Sequence, residues 1–376
     1  MKDPQDSIIT IRDLIYGRAL LIKMELEKHG IPCFITNTPA CEGCVELHLD
    51  ESGSAVAYDL LEHRRGASGL EKELAIKQLR KVRRILVPID FSERSIKAAH
   101  YALELARTLK AEIKLLHVWF DNSAEVFVFN EMFAFQTNLA PVMREMEETA
   151  QKQLTDVCDI LNQRIRLEKI KGVKIDYDLV RGASVGSILQ ITEEYQPGLL
   201  VMGTRGKNRD SLQMIGSTTS KVMAKSKVPV MAVPEDYNLS AFYKPHHIAY
   251  ITHFDDHDFY ALHQLIAFVK PFKAQVFCWH IKKESDAVID RLRMKQLRDY
   301  FNATYSELTL ECGLIEASDT VEAIETLVKE KEIDVIALIL RRRNLLEQLL
   351  QPSLTKSLLY QSNIPMLVFS SDGVPE

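Results

Sequence analysis

The sequence predicts an α/β protein: two tandem, doubly wound parallel sheets of five strands each, preceded by a small α+β module. Three observations carry the prediction. From Val82 onward, short apolar runs of strand length alternate with segments that are apolar at helical spacing, until five strands have passed. The same succession returns after residue 245 and ends, like the first, on an apolar strand entered through a proline. Residues 1 to about 65 follow neither pattern. The expected boundaries are 1–65 for the module, 66–81 for a linker, 82–235 for the first repeat and 245–371 for the second.

Composition narrows the class. A chain of 376 residues with 46% hydrophobic and 26% charged residues has room for several cores and reads as soluble globular protein. A net charge of -5 and a pI near 6.2, with no basic stripe dominating a domain, argue against a nucleic-acid partner. The longest apolar runs are strand length, so no membrane span is expected. The opening Met1-Lys-Asp-Pro-Gln-Asp6 lacks the apolar core of a secretion signal. Six scattered cysteines make no disulfide framework, and a reducing cytoplasm is the expected location.

In the module, Ile8, Ile9 and Ile11 suggest a strand, and Leu14, Ala19, Leu21, Ile22 and Leu26 a helix ending near Gly30. Ile31, Cys33 and Ile35 alternate as a second strand and Val45, Leu47 and Leu49 as a third, with a last helix around Ala55, Leu60 and Leu61. In the first repeat, Arg84 to Asp90 is a buried strand followed by Ser92, a plausible helix N-cap. Ile113–Val118, Ile175–Val180, Leu199–Met202 and Val228–Val233 are the other strands, and Ala140 to about Arg166 is a long helix. In the second repeat, His247–Phe254, Ala274–His280, Tyr305–Leu310, Asp334–Leu340 and Ile364–Phe369 read as strands, with Glu322–Lys331 helical.

The stretch from Val201 to Thr218 concentrates the chemistry. Gly203 and Gly206 let backbone approach a ligand, and Gly216, Ser217 and Thr218 fall where a helix begins, with free amides and small hydroxyls. Such a segment suits phosphate; it equally suits a surface loop with a glycine turn and a serine cap. Ligands of doubly wound sheets lie at the carboxyl ends of the strands, where Asp90, Val118 and Gly203 belong. The second repeat lacks these features. Ile339, Arg342 and Pro352 stand opposite Gly203, Gly206 and Gly216, and His253 opposite Asp90, so a nucleotide site is expected in the first repeat alone.

These residues carry a resemblance to the universal stress protein family. Residues 82 to 235 resemble its Rossmann-like domain, and 245 to 371 look like a second, degenerate copy. Gly203-x2-Gly206-x9-Gly216-Ser217 matches the pattern of the family's ATP-binding members, and Pro88-Ile89-Asp90-Phe91-Ser92 and Val228-Pro229-Val230 match its opening and closing strands. The resemblance implies ATP, with magnesium, as the ligand. It implies adenine near Pro88, Ile89 and Val118, ribose hydroxyls on Asp90, and Met202 beneath. Gly203, Arg205, Gly206, Gly216, Ser217 and Thr218 would hold the phosphates. For Asp90, helix capping is the competing role. Family members often pair through their last strands, and a tandem chain can do so internally, Val228–Val233 against Ile364–Phe369, covering two open edges. Pairing of whole chains and the protein partner of such a regulator stay open.

Other motifs in the chain have simpler roles. Gly182-Ala-Ser184-Val-Gly186 fits a hydrolase nucleophile elbow, yet the candidate bases His246, His253 and His280 belong to the second repeat, and Ser184 more simply caps a helix. Cys41-x2-Cys44, with Cys33, has the spacing of half a zinc or redox site, but no second pair exists. His253, Asp255, Asp256 and His257 suit a metal or a solvated loop. Val201 and Asn208 break a Walker A reading, and no G-x-G-x-x-G follows the first strand. With no evident nucleophile or base, the chain is expected to be a binding protein and not an enzyme. The alternatives are a nucleotide-independent interaction scaffold and, less favoured, a Ser184 hydrolase.

Overall fold

A computed structural model describes residues 8–15, 19, 22–23, 26–27, 30–37, 44–50, 82–119, 140–204, 216–238, 245–252, 256–281, 291, 294–295, 297–299, 301–302, 305, 308, 310–315, 320–340 and 364–370. The chain divides into two compact units, one of residues 78–246 with 332–373, the other of residues 1–77 with 247–331 and 374–376.

The N-terminal module is a three-stranded antiparallel sheet. β1 (Ile8–Ile15), β2 (Cys33–Asn37) and β3 (Cys44–Asp50) pair in the order β1-β3-β2. Alternation puts Val45, Leu47 and Leu49 of β3 on one face, where they bury against Ala19, Ile22 and Leu26 of the connecting helical residues. The expected helix around Ala55, Leu60 and Leu61 lies outside the described residues.

The first repeat alternates strand and helix as its pattern requires. Its elements are β4 (Arg84–Pro88), α1 (Glu93–Leu109), β5 (Glu112–Trp119), α2 (Ala140–Leu167), β6 (Ile175–Arg181), α3 (Ser184–Tyr195), β7 (Leu199–Gly203), α4 (Ser217–Lys225) and β8 (Val230–Val233). The strands run parallel in the order β6-β5-β4-β7-β8. α1 exists because Ala98, Ala99, Ala102, Leu103, Leu105 and Ala106 give it a small, fully buried face, so that it packs close to the sheet.

The second repeat supplies β9 (His247–Thr252), α5 (Asp256–Val269), β10 (Gln275–Ile281), β11 (Leu310–Ile315), α6 (Thr320–Glu330), β12 (Val335–Leu340) and β13 (Met366–Ser370). β11, β10 and β9 pair in parallel within one unit, and β12 and β13 within the other. One expectation is corrected: the strand at Tyr305–Leu310 begins at Leu310. The Tyr305 amide donates back to Phe301 and the Leu308 amide to Tyr305, so the apolar alternation there serves a turn. The Leu310 amide is taken by the Asn302 side chain at 3.1 Å.

The halves share backbone idiosyncrasies as well as pattern. Lys110 and Lys273 both leave a helix through the left-handed region (φ 52° and 55°), as do Gln196 and Glu332 (φ 48° and 49°). His117 Nδ1 donates to the Ile89 carbonyl at 2.8 Å, and His280 Nδ1 to the Thr252 carbonyl at 2.9 Å. Each histidine thereby pins the end of one strand to its neighbour.

The edge pairing expected from the sequence is present. β13 runs antiparallel to β8, with Met366 opposite Ala232, Leu367 opposite Met231 and Val368 opposite Val230. One core runs across this junction: Leu200, Met202, Val222, Met223 and Val230 pack with Leu338, Leu340, Met366 and Val368.

Candidate functional site

Strand register builds the site. Pro88 is level with Leu116 on β5 and Leu86 with Leu200 on β7. Continuing each strand brings Asp90, Val118 and Thr204 to one level at the carboxyl edge. β4 and β7 are the neighbours between which the winding reverses, the place where such sheets hold ligands.

Two helices begin at this edge, and their first turns differ. α1 is closed by its own chain. Ser92 Oγ accepts the Ser95 amide at 3.2 Å and donates to Asp90 Oδ1 at 2.6 Å. The Ser92 amide donates to the same carboxylate oxygen at 3.1 Å, and Glu93 adds negative charge in the first turn. α4 starts after Gly216, which is extended (φ -61°, ψ 147°) and offers no side-chain cap. The amides of its first turn therefore face the carboxyl edge at the positive end of the helix dipole, and the N-cap residue supplies no capping oxygen.

Three hydrogen bonds fix that start. Thr219 Oγ1 donates to the Gly203 carbonyl at 2.9 Å. The Gly216 amide donates to the Thr204 carbonyl at 2.7 Å, and the Thr204 amide to the Val233 carbonyl at 3.0 Å. Thr204, at the end of β7, and Gly216, at the start of α4, are thus held to one another. Ser217 is exposed and Thr218 half-buried.

The other expected residues fall as follows. Pro88, Ile89 and Met202 are buried, and Val118 is half-buried. Asp90 is half-buried and is not itself the cap: Ser92 caps α1, and Asp90 Oδ1 holds Ser92 by accepting from it. Gly203 is bare because α1 passes over it: a Cβ there would stand 3.1 Å from the Arg94 carbonyl group. Arg205 and Gly206 lie outside the described residues. Sequence reading missed the pair at the end of β4 and β5, where Phe91 (φ 60°) lies against the His117 ring with centroids 4.3 Å apart. The recurrence of His117 as His280 at the same place in each repeat was the available signal. It also missed Thr204 and Thr219, both buried, whose roles depend on the fold.

Ser184 is the first residue of α3, and the N-cap is Ala183, which makes no side-chain cap. The expected capping by Ser184 is therefore corrected. Of its candidate bases, His280 directs Nδ1 at Thr252, and His253 lies outside the described residues. Cys41 also lies outside them. Among the described residues no three His, Cys, Asp or Glu side chains are grouped to hold a metal, and no helix is long and apolar enough to cross a membrane.

A five-stranded parallel sheet wound 3-2-1-4-5, with helix starts at its switch point, defines a Rossmann-like α/β domain. Residues 81–234 match the universal stress protein family. This part of the chain is similar to two universal stress proteins of Methanocaldococcus jannaschii. One is 26% identical over 151 residues, covering 40% of this chain and 81% of the relative. The other is 29% identical over 153 residues, covering 40% and 94%. In fold, the chain is similar to a universal stress protein from Archaeoglobus fulgidus, with a TM-score of 0.59 at 20% identity over 76% of this chain and 96% of that one. The likeness of fold thus extends beyond the matched domain.

Proposed function

We propose that residues 82–235 bind an adenine nucleotide, ATP with magnesium, and that the chain acts through this binding as a cytoplasmic stress-response or regulatory protein. The observation that carries the reading is the start of α4, whose N-cap is a glycine that brings no capping side chain, tied to the end of β7 by a hydrogen bond of 2.9 Å. Backbone donors at a positive dipole end suit phosphate, and the Ser217 and Thr218 hydroxyls extend the same surface. The donor set fits the group: amides and hydroxyls for phosphate at α4, a carboxylate for ribose hydroxyls at Asp90, and apolar strand ends at Pro88, Ile89 and Val118 for the base. Met202 would lie beneath, and Gly203, Arg205, Gly206 and Gly216 would complete the phosphate loop. Bound magnesium would offset phosphate charge. The second repeat, without the glycines, serves as a pairing scaffold, and the chain is a binding protein and not an enzyme.

Thermal unfolding with and without nucleotide tests the reading. ATP that binds only the folded state raises the melting temperature by mass action, and Gly206→Val should abolish the rise. One observation favours the alternative of a scaffold that binds no nucleotide: Asp90 and Gly203 each already have a structural task, holding the Ser92 cap of α1 and admitting that helix. Absence of any response at millimolar ATP would leave that alternative standing. Labelling of Ser184 by a serine-reactive phosphonate would point instead to a hydrolase.

A further inference from the structure

The opposite edge of the same domain carries a second concentration of chemistry. At the amino ends of β4, β5 and β6 a cavity of about 570 Å³ is lined by Arg83, Arg84, Lys110, Glu112, Gly172, Val173 and Lys174. Four cations face one carboxylate, in a chain whose net charge is -5. Among the described residues none of the four makes an ion pair, whereas nearby cations do, Lys114 with Asp178 at 2.7 Å and Arg164 with Glu168 at 2.6 Å.

The cations stand on fixed backbone. The Arg83 carbonyl accepts the Glu112 amide at 2.7 Å, the Lys174 carbonyl the Ile113 amide at 2.8 Å, and the Arg84 carbonyl the Gly198 amide at 2.9 Å. The Arg84 guanidinium lies over the Tyr195 ring, 5.2 Å from its centroid. Gly172 has φ +77°, and a Cβ there would meet the Lys110 stem at 3.4–3.8 Å. The positive φ is what calls for glycine here, and the Lys110 stem packs beside it at ordinary contact distance. Helix carboxyl ends also gather at this edge and attract cations, but each carries only roughly half an elementary charge. The ends of α1 and α2 together cancel about one of the three net positive charges.

We propose that this cavity binds a small polyphosphate anion, such as a free oligophosphate or the phosphate chain of a nucleotide, independently of the α4 site. A monoanion gains little from exposed cations in water. Adjacent phosphates engage several at once, and two guanidinium forks match phosphate oxygens in pairs.

The test is calorimetric titration of the full chain with inorganic tripolyphosphate at low salt. It is run in a Ser217→Asp background, in which a carboxylate at the exposed start of α4 repels phosphate there. The expected result is one site that survives Ser217→Asp, weakens as salt rises and weakens at least tenfold in Arg83→Glu/Lys174→Glu. Both of those side chains are exposed. Should the double variant unfold, Lys110→Gln, which keeps the stem against Gly172, should still weaken binding about threefold. Binding lost in Ser217→Asp, or unchanged by the charge substitutions, overturns the proposal and leaves the α4 reading untouched. A nucleotide source for the phosphates is distinguished by ATP outcompeting tripolyphosphate in that same background.

Discussion

Gly203 lies beneath the first turn of α1, so close that a methyl group there would stand 3.1 Å from both the carbon and the oxygen of the Arg94 carbonyl. The neighbour is helix backbone, not the end of a flexible side chain. That turn has little freedom to withdraw, because the Ser92 cap holds it and the Arg94 guanidinium pairs with Glu235 at 2.6 Å. Gly203→Ala should therefore destabilise the domain by about 1–3 kcal/mol through overpacking, and Gly203→Val by more. A lowered urea midpoint is the measurement, and an unchanged midpoint in the alanine variant would show that α1 can shift.

Asp90 separates capping from ligand binding. Its Oδ1 accepts from both the Ser92 amide and the Ser92 hydroxyl, a task that an amide oxygen also performs. Asp90→Asn should thus cost little stability, while Asp90→Ala and Ser92→Ala should each cost about 1 kcal/mol, as lost caps do. If Asp90 also holds ribose hydroxyls, Asp90→Asn weakens the ATP-dependent rise in melting temperature although the fold is intact. An undiminished rise confines Asp90 to its structural task.

The alternation of strands and helices was legible because each element has a buried face of one period: Ile85, Leu86 and Val87 in β4, and Ala99, Leu103 and Ala106 in α1. The pairing of β8 with β13 was implied by the resemblance to a family whose members often pair through their last strands, and it covers two edges that would otherwise be open. Tyr305–Leu310 misled because its apolar residues pack as a turn, with the Tyr305 hydroxyl 2.6 Å from His263 Nδ1, a contact far away in sequence. At the site, residue types and spacing marked Asp90 and Gly216. The reason for Gly203 depended on which helix crosses it, and the basic cavity joins residues from three strand ends. Neither leaves a contiguous trace in the chain.

Acid should weaken the second repeat through His263. Burial between Phe301 and Tyr305 pushes its pKa down to about 3, below the roughly 6.5 of an unfolded histidine. The folded state keeps it neutral while the unfolded state takes up a proton, so stability is complete above about pH 6.5 and declines as pH falls toward 3. For this one group the slope approaches about 1.4 kcal/mol per pH unit. Between pH 7 and 5 the wild-type urea midpoint should fall further than that of His263→Gln, which has no proton to gain. Parallel declines would mean that another group governs the acid response. His100, whose pKa burial and then Arg164 lower, acts with the same sign in both proteins and cancels in the comparison.

The antiparallel seam of β8 and β13 makes the last prediction. Leu367 faces Met231 in the middle of a pairing of three residues on each strand, and β13 is bonded on its other side to β12. Both side chains are fully buried, so the seam contributes apolar burial as well as backbone hydrogen bonds. Proline at 367 removes one amide donor and does not suit a strand paired on both sides. Leu367→Pro should open the seam and leave β8 with unpaired backbone along an apolar edge, which is a template for another chain. Dimers or larger assemblies should then appear in light scattering on a size-exclusion column, at concentrations where the wild type shows none of them. Leu367→Met conserves apolar character and volume, costs under about 1.5 kcal/mol, and should leave the elution unchanged. If Leu367→Pro elutes as the wild type does, at a comparable melting temperature, the edge of β8 is protected by something other than β13.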